Sequence, residues 1–136
     1  MKEIALMRTV DSASDRATWA ELLLMVYDRL VLDVQDGLEA QRRSDHEATV
    51  RHLTHALDIV RELQRSMRVE EHRGGYDLAA LYEFLHRRLV MASVGLDTAV
   101  TDECLRLVTD LCMGWREAVE ALAQAAAERR DAEMAS

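Results

Sequence analysis

The sequence predicts an all-α protein, an antiparallel up-down four-helix bundle. Proline is absent from its 136 residues and glycine occurs only five times, although average usage would give about seven prolines. Because proline breaks helix interiors and glycine weakens them, this composition favours long uninterrupted helices. It does not suit a β-sandwich or barrel, which needs many turn residues. The length suits one domain that buries a core without disulfides or metal.

An N-terminal arm precedes the first predicted helix. Residues 1–17 show no clear hydrophobic period, and we expect them to be mobile or to form only a short helix. Thr18 is the predicted N-cap, since Glu21 follows three residues later and completes a capping box. This helix is predicted to end near Arg43, and the bundle domain to span residues 18–130.

Three breaks define the other helices. Ser44 and Asp45 interrupt the first periodic stretch, a loop with two glycines covers about 69–75, and Gly95 with Asp97 marks the last turn. Four long helices with short connections are typical of up-down-up-down bundles. The predicted segments are a second helix at about 46–68, a third at 76–93, a fourth at 98–130 and a disordered tail at 131–136.

The charge balance excludes some classes of partner. Acidic residues number 25 and basic residues 17, so the formal net charge is −8. Nucleic-acid and anionic-membrane binders normally carry a basic face, so neither class is expected. No apolar run reaches the length of a membrane span and no secretory signal pattern is present. Cys104 and Cys112 lie about 12 Å apart along one helix, too far for a disulfide, which fits reduced thiols in the cytoplasm.

Each predicted helix carries an apolar stripe at helical spacing, which we expect to form the bundle core. The stripe residues are Leu22, Leu23, Val26, Leu30, Val34, Leu38, Val50, Leu53, Leu57, Val60, Leu63, Met67, Leu78, Leu81, Tyr82, Leu85, Leu89, Cys104, Leu105, Val108, Leu111, Cys112, Trp115, Val119 and Leu122.

Several apolar residues fall outside these stripes or at their edges. A soluble bundle seldom leaves a second apolar stripe facing water. The second stripes could contact an end segment of the same chain, form a homodimer face, or provide a groove for a partner helix, and the periodicity alone leaves all three explanations open. The candidate partner-binding residues are Met25, Leu32, Ile59, Phe84, Met91 and Leu107.

No catalytic constellation emerges, so we expect neither enzymatic activity nor a cofactor. Glycine-rich phosphate loops, nucleophile elbows and Cys-x-x-Cys pairs are absent from the sequence. Glu83 and His86 form a single Glu-x-x-His motif, whereas a ferritin-like metal bundle uses two. His52 and His55 lie on a face rich in arginine that we interpret as solvated surface. A metal-binding bundle is therefore the less favoured alternative, and no metal ligand is assigned.

Motifs on all four helices point to one family. The first predicted helix reads Glu-Leu-x-x-Met-x-Tyr-Asp over residues 21–28. The motif residues on the other three helices are Ala56, Ile59, Val60, Leu63, Leu81, Tyr82, Glu83, Phe84, Arg87, Arg88, Leu89, Ala92, Asp97, Thr98 and Trp115. In this order and spacing, over about residues 18–118, the chain resembles the FliS family of flagellin-specific export chaperones.

The resemblance implies a cytoplasmic chaperone, a monomer or weak homodimer, and not an enzyme. Members of this family bind the disordered C-terminal segment of flagellin, prevent its premature polymerisation and present it to the flagellar type III export gate. The second stripes would then be hydrophobic grooves that receive the client as helices. The alternative function is a self-associating helical scaffold or adaptor, whose second stripes pair with themselves.

Two further sets of residues acquire candidate roles from the resemblance. The family's arm often carries a tyrosine that folds over the groove, but the first tyrosine here is Tyr27. The groove-capping residues would instead be Ile4, Leu6 and Met7. Arg87 and Arg88 are candidates for polar contacts with acidic client groups, although ion pairs with neighbours such as Glu83 are the simpler expectation.

Overall fold

The computed structural model describes residues 13–66, 75–95 and 97–135, and within them it forms four long helices. Each helix packs against the next one along the chain, and α1 also packs against α4, so that α1 and α3 lie diagonally across the bundle. This arrangement confirms the predicted all-α, up-down four-helix bundle. The helices are α1 at Ala13–Arg42, α2 at His46–Ser66, α3 at Gly75–Val94 and α4 at Thr98–Ala135.

Two of the three predicted breaks are confirmed, whereas the predicted loop at about 69–75 lies, except for Gly75, outside the described residues. Turns occur at Ser44–Asp45 and around Gly95. The prediction that Thr18 caps α1 is wrong, because α1 begins at Ala13. Residues 13–17 contain two alanines and no glycine, a composition that allows the helix to extend through them. For similar reasons α4 runs through its alanine-rich end to Ala135, beyond the predicted limit.

The turn between α1 and α2 closes both helices with hydrogen bonds. The Ser44 amide donates to Gln41 O (3.0 Å) and the Asp45 amide donates to Ala40 O (2.9 Å), which is the Schellman pattern at a helix C-terminus. Ser44 has a φ of 59°, a left-handed conformation that a side chain disfavours. Asp45 then caps α2, because its Oδ1 accepts the amide of Ala48 at 3.1 Å.

A glutamine side chain fastens the same end of the bundle. Gln41 Nε2 on α1 donates to the carbonyl oxygens of Ala92 (3.3 Å) and Gly95 (3.1 Å), where α3 ends. Thr101 on α4 donates its hydroxyl to Gln41 Oε1 at 2.5 Å. One half-buried amide therefore satisfies C-terminal carbonyls of α3 and links three helices.

The core consists of the inward stripes of all four helices. Most predicted stripe residues are buried or half-buried, but Val50 and Leu122 are exposed, and Met67 lies outside the described residues. Gly37 lets α1 approach α2 closely, because a Cβ at this position would lie 2.5 Å from Leu53 Cδ2. The buried core residues are Leu23, Tyr27, Leu30, Val34, Leu53, Ala56, Ile59, Val60, Leu63, Tyr82, Leu85, Leu89, Ala92, Cys104, Val108 and Cys112.

Two buried tyrosines meet in the centre of the bundle. The hydroxyls of Tyr27 on α1 and Tyr82 on α3 share a hydrogen bond across the diagonal. Burial raises the pKa of both phenols above the ordinary value. The expectation that Tyr82 belongs to the bundle core is thus confirmed by its burial, and the Trp115 ring packs beside Tyr27 with ring centroids 6.1 Å apart.

A buried carboxylate lies between α1 and α2. Asp33 is fully buried, and its carboxylate contacts His55 Nδ1 and lies 3.2 Å from Arg29 Nε. The two partners compensate a charge that would otherwise be costly to bury. His55 is still 52% exposed, as expected for a solvated face, and its ring in addition reaches across to α1.

None of the helices in the described residues has an apolar stretch long enough for a membrane span.

The tyrosine pair predicts a non-additive pair of substitutions. Tyr27→Phe or Tyr82→Phe alone leaves one hydroxyl buried without a partner, and we expect a loss of about 1–3 kcal/mol in the free energy of unfolding. The double variant removes both hydroxyls and is expected to be closer to wild type. Urea denaturation of all four proteins tests this coupling, and strictly additive losses would contradict it.

The same pair predicts an alkaline limit of stability. Because the folded pKa of each phenol is raised, its contribution is fully present below the unfolded pKa of about 10 and is lost as the pH rises above it. We expect the decline in stability above that pH to be smaller in the Tyr27→Phe/Tyr82→Phe double variant. Denaturation curves collected between neutral and strongly alkaline pH give the comparison.

The α1–α2 turn predicts two opposite effects on stability. Ser44→Gly is expected to raise the free energy of unfolding by about 0.5–1 kcal/mol, because glycine adopts the left-handed conformation without a Cβ clash. Asp45→Ala is expected to lower it by about 1 kcal/mol through loss of the α2 cap. Chemical denaturation gives both values, and a destabilised Ser44→Gly variant would disprove the strain argument.

Candidate partner-binding surfaces

The outer side of α3 is apolar although α3 already has a complete inner face. Phe84, Met91 and Val94 are 40%, 50% and 76% exposed, whereas Tyr82, Leu85, Leu89 and Ala92 point into the core. The exposed positions follow a spacing of four, three, four and three residues, the pattern of a heptad seam. We call this set the α3 seam; it consists of Ala80, Phe84, Arg87, Met91 and Val94.

The α3 seam borders α4 through one ion pair. Arg88 lies one turn from both Phe84 and Met91, and its guanidinium contacts the Glu103 carboxylate on α4. Arg88 Nη1 also donates to Met91 Sδ at 3.7 Å. The hydrogen bond to Glu103 raises the pKa of the Arg88 guanidinium further, so Arg88 stays protonated.

Leu107 lies half-buried on α4, where it packs against the core. On the helix it follows Glu103 by one turn. Leu107 is therefore less exposed than Phe84 and Met91 and belongs partly to the core.

A second apolar surface lies on the outside of α1. Met25 is 66% exposed and Leu32 is 42% exposed, seven residues apart. We call these two residues the α1 face. Between them Asp28 turns toward α4, where it accepts hydrogen bonds from Arg116 (2.7 Å) and from the Cys112 thiol (3.2 Å). Since α1 and α3 are diagonal, the α1 face and the α3 seam point to opposite sides of the bundle.

Ile59 does not belong to either exposed surface. It is 3% exposed and packs within the core on α2. The assignment of Ile59 to a partner surface therefore fails for this bundle, because α2 buries a broad face that includes Ala56, Val60 and Leu63 as well. The sequence placed Ile59 at the edge of its stripe, and the packed bundle buries that edge.

Sequence reasoning missed part of the α3 seam. Val94 continues the four-three spacing from Phe84 and could have been found by extending that pattern to the end of the helix. Val90, 40% exposed, lies beside it. The groove-capping candidates Ile4, Leu6 and Met7 lie outside the described residues.

The arginine doublet separates into two roles. Arg88 forms an ion pair, as expected, but its partner is Glu103 on α4 and not Glu83. The Glu83 carboxylate instead accepts a hydrogen bond from Gln64 Nε2 on α2 at 3.2 Å. Arg87 is exposed and makes no hydrogen bond or ion pair with any described residue.

Reactive groups in the described residues are few. No group of three His, Cys, Asp or Glu residues there is placed to hold a metal ion. Burial raises the pKa of the Cys104 thiol to about 11 and also raises that of Cys112, which keeps both thiols protonated at neutral pH. Glu83 and His86 line an open polar cleft of about 300 Å³ together with Arg61, Gln64 and Arg65.

Comparison with known proteins agrees with this geometry. The family model described as "Flagellar protein FliS" matches residues 3–122. The chain is also 29% identical over 115 residues to a protein of Bacillus subtilis (strain 168) named "Flagellar secretion chaperone FliS". That alignment covers 85% of this chain and 81% of the relative. The chain therefore belongs to the FliS family of flagellar proteins.

Proposed function

We propose that this protein is a cytoplasmic flagellar export chaperone that binds the disordered C-terminal segment of flagellin. The exposed α3 seam is the observation that carries the proposal. The bundle core is complete without Phe84 and Met91, so these side chains are not needed to hold the helices together. Exposed apolar surface of this kind is typical of a site that a partner covers. The name of the Bacillus subtilis relative supports the flagellar setting.

The chemistry of the two surfaces suits a client that folds as it binds. A disordered amphipathic segment becomes helical when its apolar side is covered, which is helix-in-groove recognition. The seam spacing matches the apolar repeat of such a helix, and Met25 and Met91 can adapt to different client side chains. Covering the segment would prevent its premature polymerisation, and the complex would then be presented to the flagellar type III export gate.

The positions of the α1 face and the α3 seam determine how many client helices are needed to cover both. Neighbouring helix axes lie about 8–10 Å apart, so the outer sides of diagonal helices are about 20 Å or more apart. One helix cannot cover both the α1 face and the α3 seam. A client that uses both surfaces needs two helical stretches with a connection between them.

The chaperone hypothesis predicts that a charge on the α3 seam stops binding but not folding. Phe84→Asp and Met91→Asp are each expected to weaken client binding by about 100-fold, because a charged group replaces an apolar side chain that the client would cover. Both side chains are at least 40% exposed, so the thermal unfolding midpoint should change little. The measurement is calorimetric titration with a peptide of the flagellin C-terminal segment encoded in the same genome.

Met113→Asp is the matched control for the seam variants. Met113 is 56% exposed on α4 and belongs to neither apolar surface, and its replacement adds the same charge. We expect wild-type binding from this variant. Unfolding of Phe84→Asp would identify Phe84 as a core residue, and a wild-type chain that is a stable dimer and ignores the peptide would support the self-associating scaffold instead.

The second surface predicts additive effects. Met25→Asp on the α1 face should weaken client binding on its own. The loss of binding free energy in the Met25→Asp/Phe84→Asp double variant should equal the sum of the losses in the two single variants. Additivity is expected because the two positions are far apart and share no contacts. An unaffected Met25→Asp variant would restrict the client to the α3 seam.

A further inference from the structure

Arg87 occupies the middle of the α3 seam as a free cation. Ala80 and Phe84 precede it and Met91 and Val94 follow it, and all five side chains are exposed. The described residues offer Arg87 neither a hydrogen bond nor an ion pair. Arg88, the next residue, is held against Glu103 on α4 and is therefore not available in the same way.

The Glu83 carboxylate does not pair with Arg87. Glu83 precedes Arg87 by four residues, a spacing at which a glutamate and an arginine on one helix commonly pair. Here the Glu83 carboxylate is turned toward α2 and accepts its hydrogen bond from Gln64. The bundle thus leaves a guanidinium with five donors uncompensated among apolar side chains.

This cation restricts what can cover the seam. A helix laid on the seam removes the guanidinium from water, and a buried cation without a counter-charge is strongly unfavourable. A second copy of the chain would bring another α3 seam, and none of its five residues is acidic. The occupant must supply a carboxylate of its own, which arginine can bind through two parallel hydrogen bonds.

We propose that Arg87 is a specificity-determining residue, which selects a client helix that carries Asp or Glu opposite it and two apolar residues on either side at heptad spacing. The inference rests on the proposed function and adds to it the chemistry of the helix that the α3 seam accepts. Arg88 contributes only to holding α3 against α4. Client recognition then depends on one acidic position inside an apolar repeat, and not only on general hydrophobicity.

Charge reversal at Arg87 tests this assignment. Arg87→Glu is expected to weaken binding of the flagellin C-terminal peptide by about tenfold or more, because two carboxylates then face each other. Arg51→Glu is the control, because Arg51 is also exposed and has no ion-pair partner in the described residues. This substitution changes the net charge of the protein by the same amount as Arg87→Glu. This control should bind as wild type.

Peptide variants complete the test. Each acidic residue of the peptide is replaced by lysine in turn, and one replacement is expected to weaken binding to the wild-type protein and to restore binding to Arg87→Glu. Wild-type binding by Arg87→Glu, or equal losses in Arg87→Glu and Arg51→Glu, would overturn the role of Arg87 while leaving the chaperone function in place. Absence of peptide binding to the wild-type protein would overturn both.

Sedimentation of the protein alone tests whether a second copy of the chain occupies the α3 seam. The expected result is a monomer at the concentrations used for titration. A dimer that Phe84→Asp dissociates would assign the α3 seam to a second copy and would overturn the inference.

Discussion

The hydrogen bond between Tyr27 and Tyr82 connects the two helices that carry the exposed apolar surfaces. Helices α1 and α3 lie diagonally across the bundle and do not pack against each other. The two buried tyrosine hydroxyls therefore join them through the centre of the core. Each hydroxyl satisfies the other, which makes the pair favourable only when both helices are in register. The same contact therefore fixes the position of the α1 face relative to the α3 seam.

Helix α3 has to satisfy two different demands with one sequence. Its inner side needs apolar residues for the core, and its outer side keeps Phe84 and Met91 in water for a partner. Polar attachments hold α3 in place without using the seam: Gln41 binds the carbonyls at its C-terminal end, Glu83 is bonded to α2, and Arg88 pairs with α4. Because these attachments lie beside the seam, the seam is left open in a folded bundle.

Local chemistry made part of this structure predictable from sequence. The Ser44–Asp45 turn depends on residues adjacent in the chain, and the inward stripe of α3 on simple periodicity. The burial of Ile59 could not be predicted, because it depends on how the neighbouring helices cover the edge of the α2 stripe. The different roles of Arg87 and Arg88 were equally hidden, since they depend on Glu103 of another helix. Periodicity thus predicted the exposed surfaces, and only the packed bundle distinguished the free cation from the paired one.

The central claim is that two helical stretches of a client cover the α1 face and the α3 seam while the bundle stays intact. Methyl resonances of labelled methionine test it directly, because Met25 and Met91 lie on the two surfaces and are both at least half exposed. Addition of the flagellin C-terminal segment should shift both resonances and leave the helix content of the bundle unchanged. Binding that leaves Met25 and Met91 unshifted, or that shifts Met113 alone, would contradict the account.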